Sequence, residues 1–220
     1  MPEFPRLPLC TLPTPLHHLN RVSEDLGTDI WIKRDDLTGF AGGGNKGRKL
    51  EFLMAAARAA EADIIVTNGA RQSNFIRQLG AACSVCGIRC VAVVMPSPFD
   101  ADFGIPEGQK LLATGGNVLL DDLFGVELRE IPNAPWEVLW QIAEDTALEL
   151  EKSGDKVFRL PVGGSSPTGA LGFFEAAAEL EQHFPTIITC SSSGSTQAGL
   201  RVGLEGTATR LIGIAVDPDC

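Results

Sequence analysis

The chain has 220 residues, 44% of them hydrophobic and 21% charged, a globular composition that excludes a disordered or fibrous protein. Lys and Arg number 18 against 28 acids, and the resulting charge of −10 repels phosphate backbones and anionic lipid, so nucleic-acid and membrane binding are not expected. No apolar run reaches membrane-spanning length, and the start Met1-Pro2-Glu3-Phe4-Pro5 lacks the basic and apolar parts of a signal peptide, so a cytoplasmic protein is expected.

Prolines at Pro2, Pro5, Pro8, Pro13 and Pro15 predict an irregular opening segment. Helical spacing then runs from Leu16 to Leu26 and stops at Gly27, and alternation over 29–34 predicts a half-buried strand. A helix over 50–62, a strand over 63–68, a helix over 73–86 and a strand over 89–95 follow. That β-α-β order implies a parallel sheet with helices on its faces. The Pro- and Gly-rich stretch 97–116 reads as a surface excursion. After it the pattern predicts a helix over 118–124, a strand over 126–131, a helix over 136–152 and a strand over 156–160. A helix over 168–183, a strand over 186–190, a loop over 191–196, a helix over 197–205 and a strand over 210–216 finish the order. There are no internal repeats.

The six cysteines, Cys10, Cys83, Cys86, Cys90, Cys190 and Cys220, are too scattered for a disulfide framework. Cys83 and Cys86 match C-x-x-C but continue an apolar helix, and no second ligand pair follows at zinc-site spacing, so they read as small core hydrophobes. His17, His18 and His183 form no metal or triad cluster, His183 being expected at a helix end. No metal site is expected.

Three segments concentrate small and polar residues beside apolar elements. In Gly42-Gly43-Gly44-Asn45-Lys46-Gly47-Arg48-Lys49 the glycines let the backbone approach a bound group, and Lys46 and Lys49, three apart at a helix start, face one side. A lysine desolvated there loses its proton readily, which suits Schiff-base chemistry. Taken alone, the segment reads first as a flexible turn before a solvated basic helix start. Its spacing is not that of a P-loop. The second segment, Ser191 to Thr196, follows a strand and opens a helix, where N–H groups and hydroxyls suit a phosphate. The third, Gln72-Ser73-Asn74, precedes a helix whose N–H groups suit a carboxylate; the plainer reading is an N-cap at Ser73 or Asn74. Together the three offer an imine-forming lysine, a phosphate cradle and a carboxylate cradle, as an amino acid on pyridoxal phosphate requires. NAD binding is the natural competitor, but no G-x-G-x-x-G follows the early strands.

At these residues the chain resembles the aminocyclopropane-carboxylate deaminase and D-cysteine desulfhydrase family of fold-type II pyridoxal-phosphate enzymes. The motifs are Pro13-Thr14-Pro15-Leu16, Trp31-Ile32-Lys33-Arg34-Asp35-Asp36-Leu37, Gly43-Gly44-Asn45-Lys46 with Arg48-Lys49-Leu50-Glu51, and Gln72-Ser73-Asn74. They continue through 161–167 with 169–172 and through Gly194-Ser195-Thr196-Gln197-Ala198-Gly199. The resemblance implies an α/β protein of two parallel-sheet three-layer domains. It assigns 1–47 and 160–220 to a large cofactor-binding domain and 48–159 to an inserted small one, with the cofactor in the cleft beside the large domain.

By the same resemblance, Lys46 carries the cofactor as a Schiff base and later exchanges protons at the substrate carbon, next to Asn45. Lys49 helps neutralise the phosphate, which Ser193, Gly194, Ser195 and Thr196 hold. Asn74 hydrogen-bonds the cofactor's ring oxygen, and Ser73 with the following N–H groups takes the substrate carboxylate. Phe75 departs from the family, which places His or Gln there, so a shifted substrate selectivity is expected. Family members also continue past Cys220. The remaining large-domain strands, the partner of the pyridine nitrogen and residues on one ring face are therefore expected beyond it, and the large domain of this chain is read as incomplete. The implied protein is a homodimeric lyase or deaminase of a small amino acid, releasing a 2-oxo acid and ammonia. The competing expectation, resting on Phe75 and the early stop, is a truncated or degenerate relative that binds the cofactor, or nothing, without turnover.

Overall fold

The computed structural model describes residues 4–96, 115–180 and 182–216. The chain divides into two compact units, one of Met1–Arg6 with Leu53–Ser165 and the other of Leu7–Phe52 with Ser166–Cys220. The chain passes between them inside helix α2 (Lys46–Ala59), whose first turns belong to the second unit.

The first unit is built on a parallel four-stranded sheet. Strands β3 (Ile64–Ala70), β4 (Arg89–Met95), β5 (Val126–Glu130) and β6 (Val157–Arg159) lie in the order β5-β4-β3-β6. The register pairs Ile64 with Arg89 and with Val157. Strands β3 and β4 are almost wholly buried, because a parallel sheet is covered on both faces, and their sequences are accordingly continuous apolar runs. Helix α5 (Trp136–Lys152) covers one face: Ala147 packs with Ile64, Val66 and Val91, and Leu139 with Ala143 packs with Val93 and Met95. Helix α3 (Asn74–Cys86) also packs on β3 and β4, and helix α4 (Asn117–Leu123) packs against α3. Period-two alternation aims Ile65, Ala92 and Val94 at the face opposite α5. Cys83 and Cys90 are buried and Cys86 is partly so, as small hydrophobes in this core would be.

The second unit carries two short sheets. Strand β1 (Leu16–His18) pairs antiparallel with β2 (Trp31–Lys33) around helix α1 (Asn20–Leu26). The helix expected from Leu16 therefore starts later. Pairing with β2 and the Arg34 N–H to Pro15 carbonyl bond draw Leu16–His18 into a strand, a non-local gain that helical spacing does not report. Strand β7 (Thr186–Ser191) pairs in parallel with β8 (Arg210–Ala215), and helix α6 (Pro167–Ala178) packs on α7 (Ser195–Gly203). Helix α6 ends well before His183, so that histidine lies outside any helix, contrary to expectation. The excursion 97–116 falls almost entirely outside the described residues. Among the described residues no helix is long and apolar enough to cross a membrane.

Candidate active site

The glycine loop before α2 is held, not slack. Gly43 has φ +77°, and a Cβ there would lie 2.0 Å from the Asp36 carbonyl oxygen, so only glycine fits. The Gly44 N–H donates to the Asp35 carbonyl at 2.9 Å, and the buried Thr38 hydroxyl donates to the Gly44 carbonyl at 3.1 Å. Lys46 opens the helix, and its Nζ donates to Asn45 Oδ1 at 3.0 Å. Burial pushes its pKa below that of an ordinary lysine, since leaving water disfavours the ammonium. Lys49, nearly one turn on, is 1% exposed. Its Nζ donates to Ser195 Oγ at 2.8 Å and lies 5.9 Å from the Phe173 ring centroid. Burial first, and the Lys46 charge second, bring its pKa down to about 7.

Arg48, between the two lysines, is 1% exposed and anchors this end of the helix. Its Nε and Nη2 donate to Asp35 at 3.0 and 2.9 Å, and its Nη1 and Nη2 to Glu179 at 2.6 and 2.8 Å. Lys33 Nζ reaches Glu179 Oε2 at 2.7 Å. Burial pushes the Glu179 carboxyl up, but the hydrogen bonds from Arg48 and Lys33 outweigh it and hold the pKa below the usual value. Helix α6 sits tightly on the same turn: a Cβ on Gly172 would come within 2.4 Å of the Arg48 carbonyl oxygen.

Helix α7 starts at Ser195, two residues before its expected start, so Ser195 and Thr196 form its first turn and only 192–194 remain as the turn after β7. First-turn N–H groups have no intrahelical acceptor, which makes this end a site for negative charge. The second unit thus brings Asn45, Lys46, Lys49 and Ser195 together, with Ser193, Gly194 and Thr196 adjoining Ser195 along the chain. The Lys49 amine, a serine hydroxyl and a helix N-terminus fit a phosphate group, and the easily neutralised Lys46 beside them fits an aldehyde.

Ser73, Asn74 and Phe75 lie in the first unit at the head of α3. Ser73 is its N-cap, its Oγ accepting from the N–H groups of Phe75 and Ile76 at 3.2 and 3.3 Å. The cap uses the oxygen only and leaves the hydroxyl proton and the Asn74 N–H outside it. Asn74 is exposed, whereas the Phe75 ring is 1% exposed and packs against Gly164. Sequence reasoning gave no role to Asn117, whose Nδ2 donates to the Gln72 carbonyl at 2.7 Å and to Asn74 Oδ1 at 3.0 Å. No local pattern links residues more than forty positions apart, and the same holds for Arg48 with Glu179. Also unforeseen is Asp121, one turn beyond Asn117. It is fully buried, and neither carboxylate oxygen has a hydrogen-bond partner among the described residues. Burial, only partly offset by the Arg77 charge, pushes its pKa up to about 7. Among the described residues no group of three or more His, Cys, Asp or Glu is placed to hold a metal.

A parallel α/β frame that sets a desolvated lysine at a helix head beside phosphate-type donors defines a protein built to hold a phosphorylated carbonyl cofactor through an amine. The chain belongs to the family of pyridoxal-phosphate dependent enzymes, whose sequence pattern matches residues 8–220. A D-cysteine desulfhydrase of Klebsiella pneumoniae (strain 342) is 42% identical over 97% of this chain and 65% of its own length. One from Serratia proteamaculans (strain 568) is 41% identical with the same coverage. The crystal structure of an ACC deaminase homologue superposes with a TM-score of 0.86 at 37% identity, covering 97% of this chain and 63% of that one. A pyridoxal 5'-phosphate-dependent aspartate racemase shares the fold, with a TM-score of 0.66 at 18% identity over 91% of this chain and 56% of that one. The fold is that of fold-type II pyridoxal-phosphate enzymes, and the family resemblance read from the motifs is borne out. The chain spans 65% of the length of the curated relatives it matches.

Proposed function

We propose that the protein is a deaminase or carbon–sulfur lyase of a small amino acid, D-cysteine or the cyclopropane amino acid, working with pyridoxal phosphate. The observation that carries this reading is Lys46, an amine with lowered pKa behind a rigid glycine loop, next to the Lys49–Ser195 corner. D-Cysteine and water give pyruvate, ammonia and hydrogen sulfide; the cyclopropane substrate and water give 2-oxobutanoate and ammonia. Pyridoxal phosphate supplies, when bound, an aldehyde that condenses with amines and a ring that withdraws electrons from the attached carbon.

The chain's residues do the rest. Lys46 would attach the cofactor between turnovers, and its neutral amine would take a proton from the substrate and return one: from the amine-bearing carbon of D-cysteine, or from a ring methylene of the cyclopropane amino acid, whose amine-bearing carbon has no hydrogen. Asn45 sets where that amine sits. Lys49 neutralises phosphate charge, while Ser193, Gly194, Ser195 and Thr196 hold the phosphate oxygens at the head of α7. The Ser73 hydroxyl and the Asn74 N–H take the substrate carboxylate, and the Asn74 amide donates to the cofactor's ring oxygen. Phe75, where the family resemblance implies a polar residue, packs its buried ring on Gly164, so this turn offers the substrate one polar group fewer and selectivity shifts. In this reading the second unit is the cofactor-binding domain, and the protein works as a cytoplasmic homodimer. Sedimentation would check the assembled state.

The test is borohydride reduction with pyridoxal phosphate followed by peptide mapping, then assays for sulfide, pyruvate, 2-oxobutanoate and ammonia. The adduct is expected on Lys46 and absent in Lys46→Ala. An adduct on Lys49 would move the role there, and a bound cofactor with no product from any small amino acid would leave a binding protein.

A further inference from the structure

The turn before α3 is tied to the head of α4 by four hydrogen bonds that converge on two side-chain amides. Gln72 Nε2 donates to the Gly115 carbonyl at 3.0 Å, and Gln72 Oε1 accepts from the Asn117 N–H at 2.8 Å. Asn117 Nδ2 donates to the Gln72 carbonyl at 2.7 Å and to Asn74 Oδ1 at 3.0 Å. Three of these bonds end on main-chain groups, which cannot turn over as a side-chain amide can. They decide which end of each amide faces which way. Asn117 must present Nδ2, because the Gln72 carbonyl accepts only; Asn74 must then present Oδ1 to Asn117. An amide is planar, with oxygen and nitrogen on opposite sides of its carbon, so the Nδ2 end of Asn74 faces away from α4. An exposed asparagine without such a partner would turn freely in water and lose that freedom on binding.

We infer that Asn117 is a positioning residue for the cofactor: with Gln72 behind it, it holds the Asn74 amide donor-outward, so that Asn74 meets an oxygen acceptor already oriented. This rests on the assignment of Asn74 to the cofactor's ring oxygen. A donor there favours the deprotonated ring oxygen, whereas a reversed amide would set oxygen against oxygen. Asn117→Asp keeps the size but replaces the donor with an acceptor. Asn74 then turns its NH₂ end toward α4 and offers Oδ1 to the ligand.

The experiment compares parent, N117D, Asn117→Ser and N74A by pyridoxal phosphate titration, by the pH at which the bound cofactor's absorption bands exchange, and by the unfolding midpoint without cofactor. N117D should bind the cofactor about tenfold more weakly and move the band-exchange pH in the same direction as N74A, with N117S weaker by about fivefold. A shift of this kind is not produced by loss of stability alone. If N117D lowers the unfolding midpoint while its bands exchange at the parent's pH, and N74A moves them, Asn117 is only structural and the inference is overturned. If N74A leaves the bands unchanged, the assignment of Asn74 itself is wrong and the inference falls with it. Should N117D not fold, N117S keeps the main-chain bond to Gln72 and decides the matter by the same two comparisons.

Discussion

Lys49 Nζ donates a 2.8 Å hydrogen bond to Ser195 Oγ, so residues 146 positions apart meet at one polar corner of the second unit. The corner holds two amines whose charges repel, and an anion relieves that repulsion.

Phosphate binding should therefore take up a proton. In the unliganded protein Lys49 titrates at about 7, lowered by burial and by Lys46, and a bound phosphate raises that value. The complex then holds more protons than the free protein. Affinity gained from Lys49 is full below about pH 7 and declines as pH rises through the raised pKa. Calorimetry of inorganic phosphate at about pH 8, in two buffers of different ionisation enthalpy, should report proton uptake, a property of binding protein and ligand together. Lys49→Gln should abolish the uptake and weaken binding about tenfold. Equal heats in the two buffers for the parent would remove Lys49 from the phosphate site.

Arg48→Met should be severely destabilising. It leaves Asp35 and Glu179 without their shared guanidinium, and Glu179 with only Lys33 of its two cationic partners. Removing one member of a buried charge cluster costs about 3–5 kcal/mol. Arg48→Lys should recover only part of this, since an ammonium cannot span two carboxylates as a guanidinium does. Urea denaturation measures both, and a loss below about 1 kcal/mol for the methionine variant would show that the cluster adds little net stability.

These two sites mark the boundary of what the sequence makes legible. Helices α3 and α5 and strand β4 are readable because apolar spacing and burial coincide there. The head of α2 is not, because Lys46, Arg48 and Lys49 look solvated until their partners are known. Burial of Arg48 depends on Glu179, 131 positions away, and nothing local announces that pairing. Lys46 and Ser195 could be singled out because each stands just after a glycine-bearing turn, at the head of a helix. The orientation of Asn74 could not, since Asn117 reaches it across 43 positions.

Gly172→Ala should separate packing from chemistry. The added methyl would lie 2.4 Å from the Arg48 carbonyl oxygen, a contact that main chain must move to relieve. Displacing α6 from α2 should lower stability by about 1–3 kcal/mol and also weaken the cofactor, because Gly172 lies against the main chain of Arg48 and Lys49 rather than against a ligand-binding side chain. Thermal melting and pyridoxal phosphate titration read the two effects. Lost stability with parental affinity would show that the head of α2 keeps its place without α6.

Asp121→Asn should stabilise the protein, and more so at higher pH. Burial raises the Asp121 pKa from 3.8 to about 7, against the weaker pull of Arg77. Between those values the folded state keeps a proton that the unfolded state has lost, so the native carboxyl costs nothing below about pH 4, increasingly more up to pH 7, and a constant amount above. The distance between the two pKa values sets the cost of the charged form at no more than about 4 kcal/mol. The asparagine variant does not titrate. Its advantage over the parent should therefore be near zero at about pH 3 and approach at most about 4 kcal/mol at about pH 8. Chemical denaturation at the two pH values decides it: a difference that does not change with pH would mean that Asp121 is paired or solvated in solution.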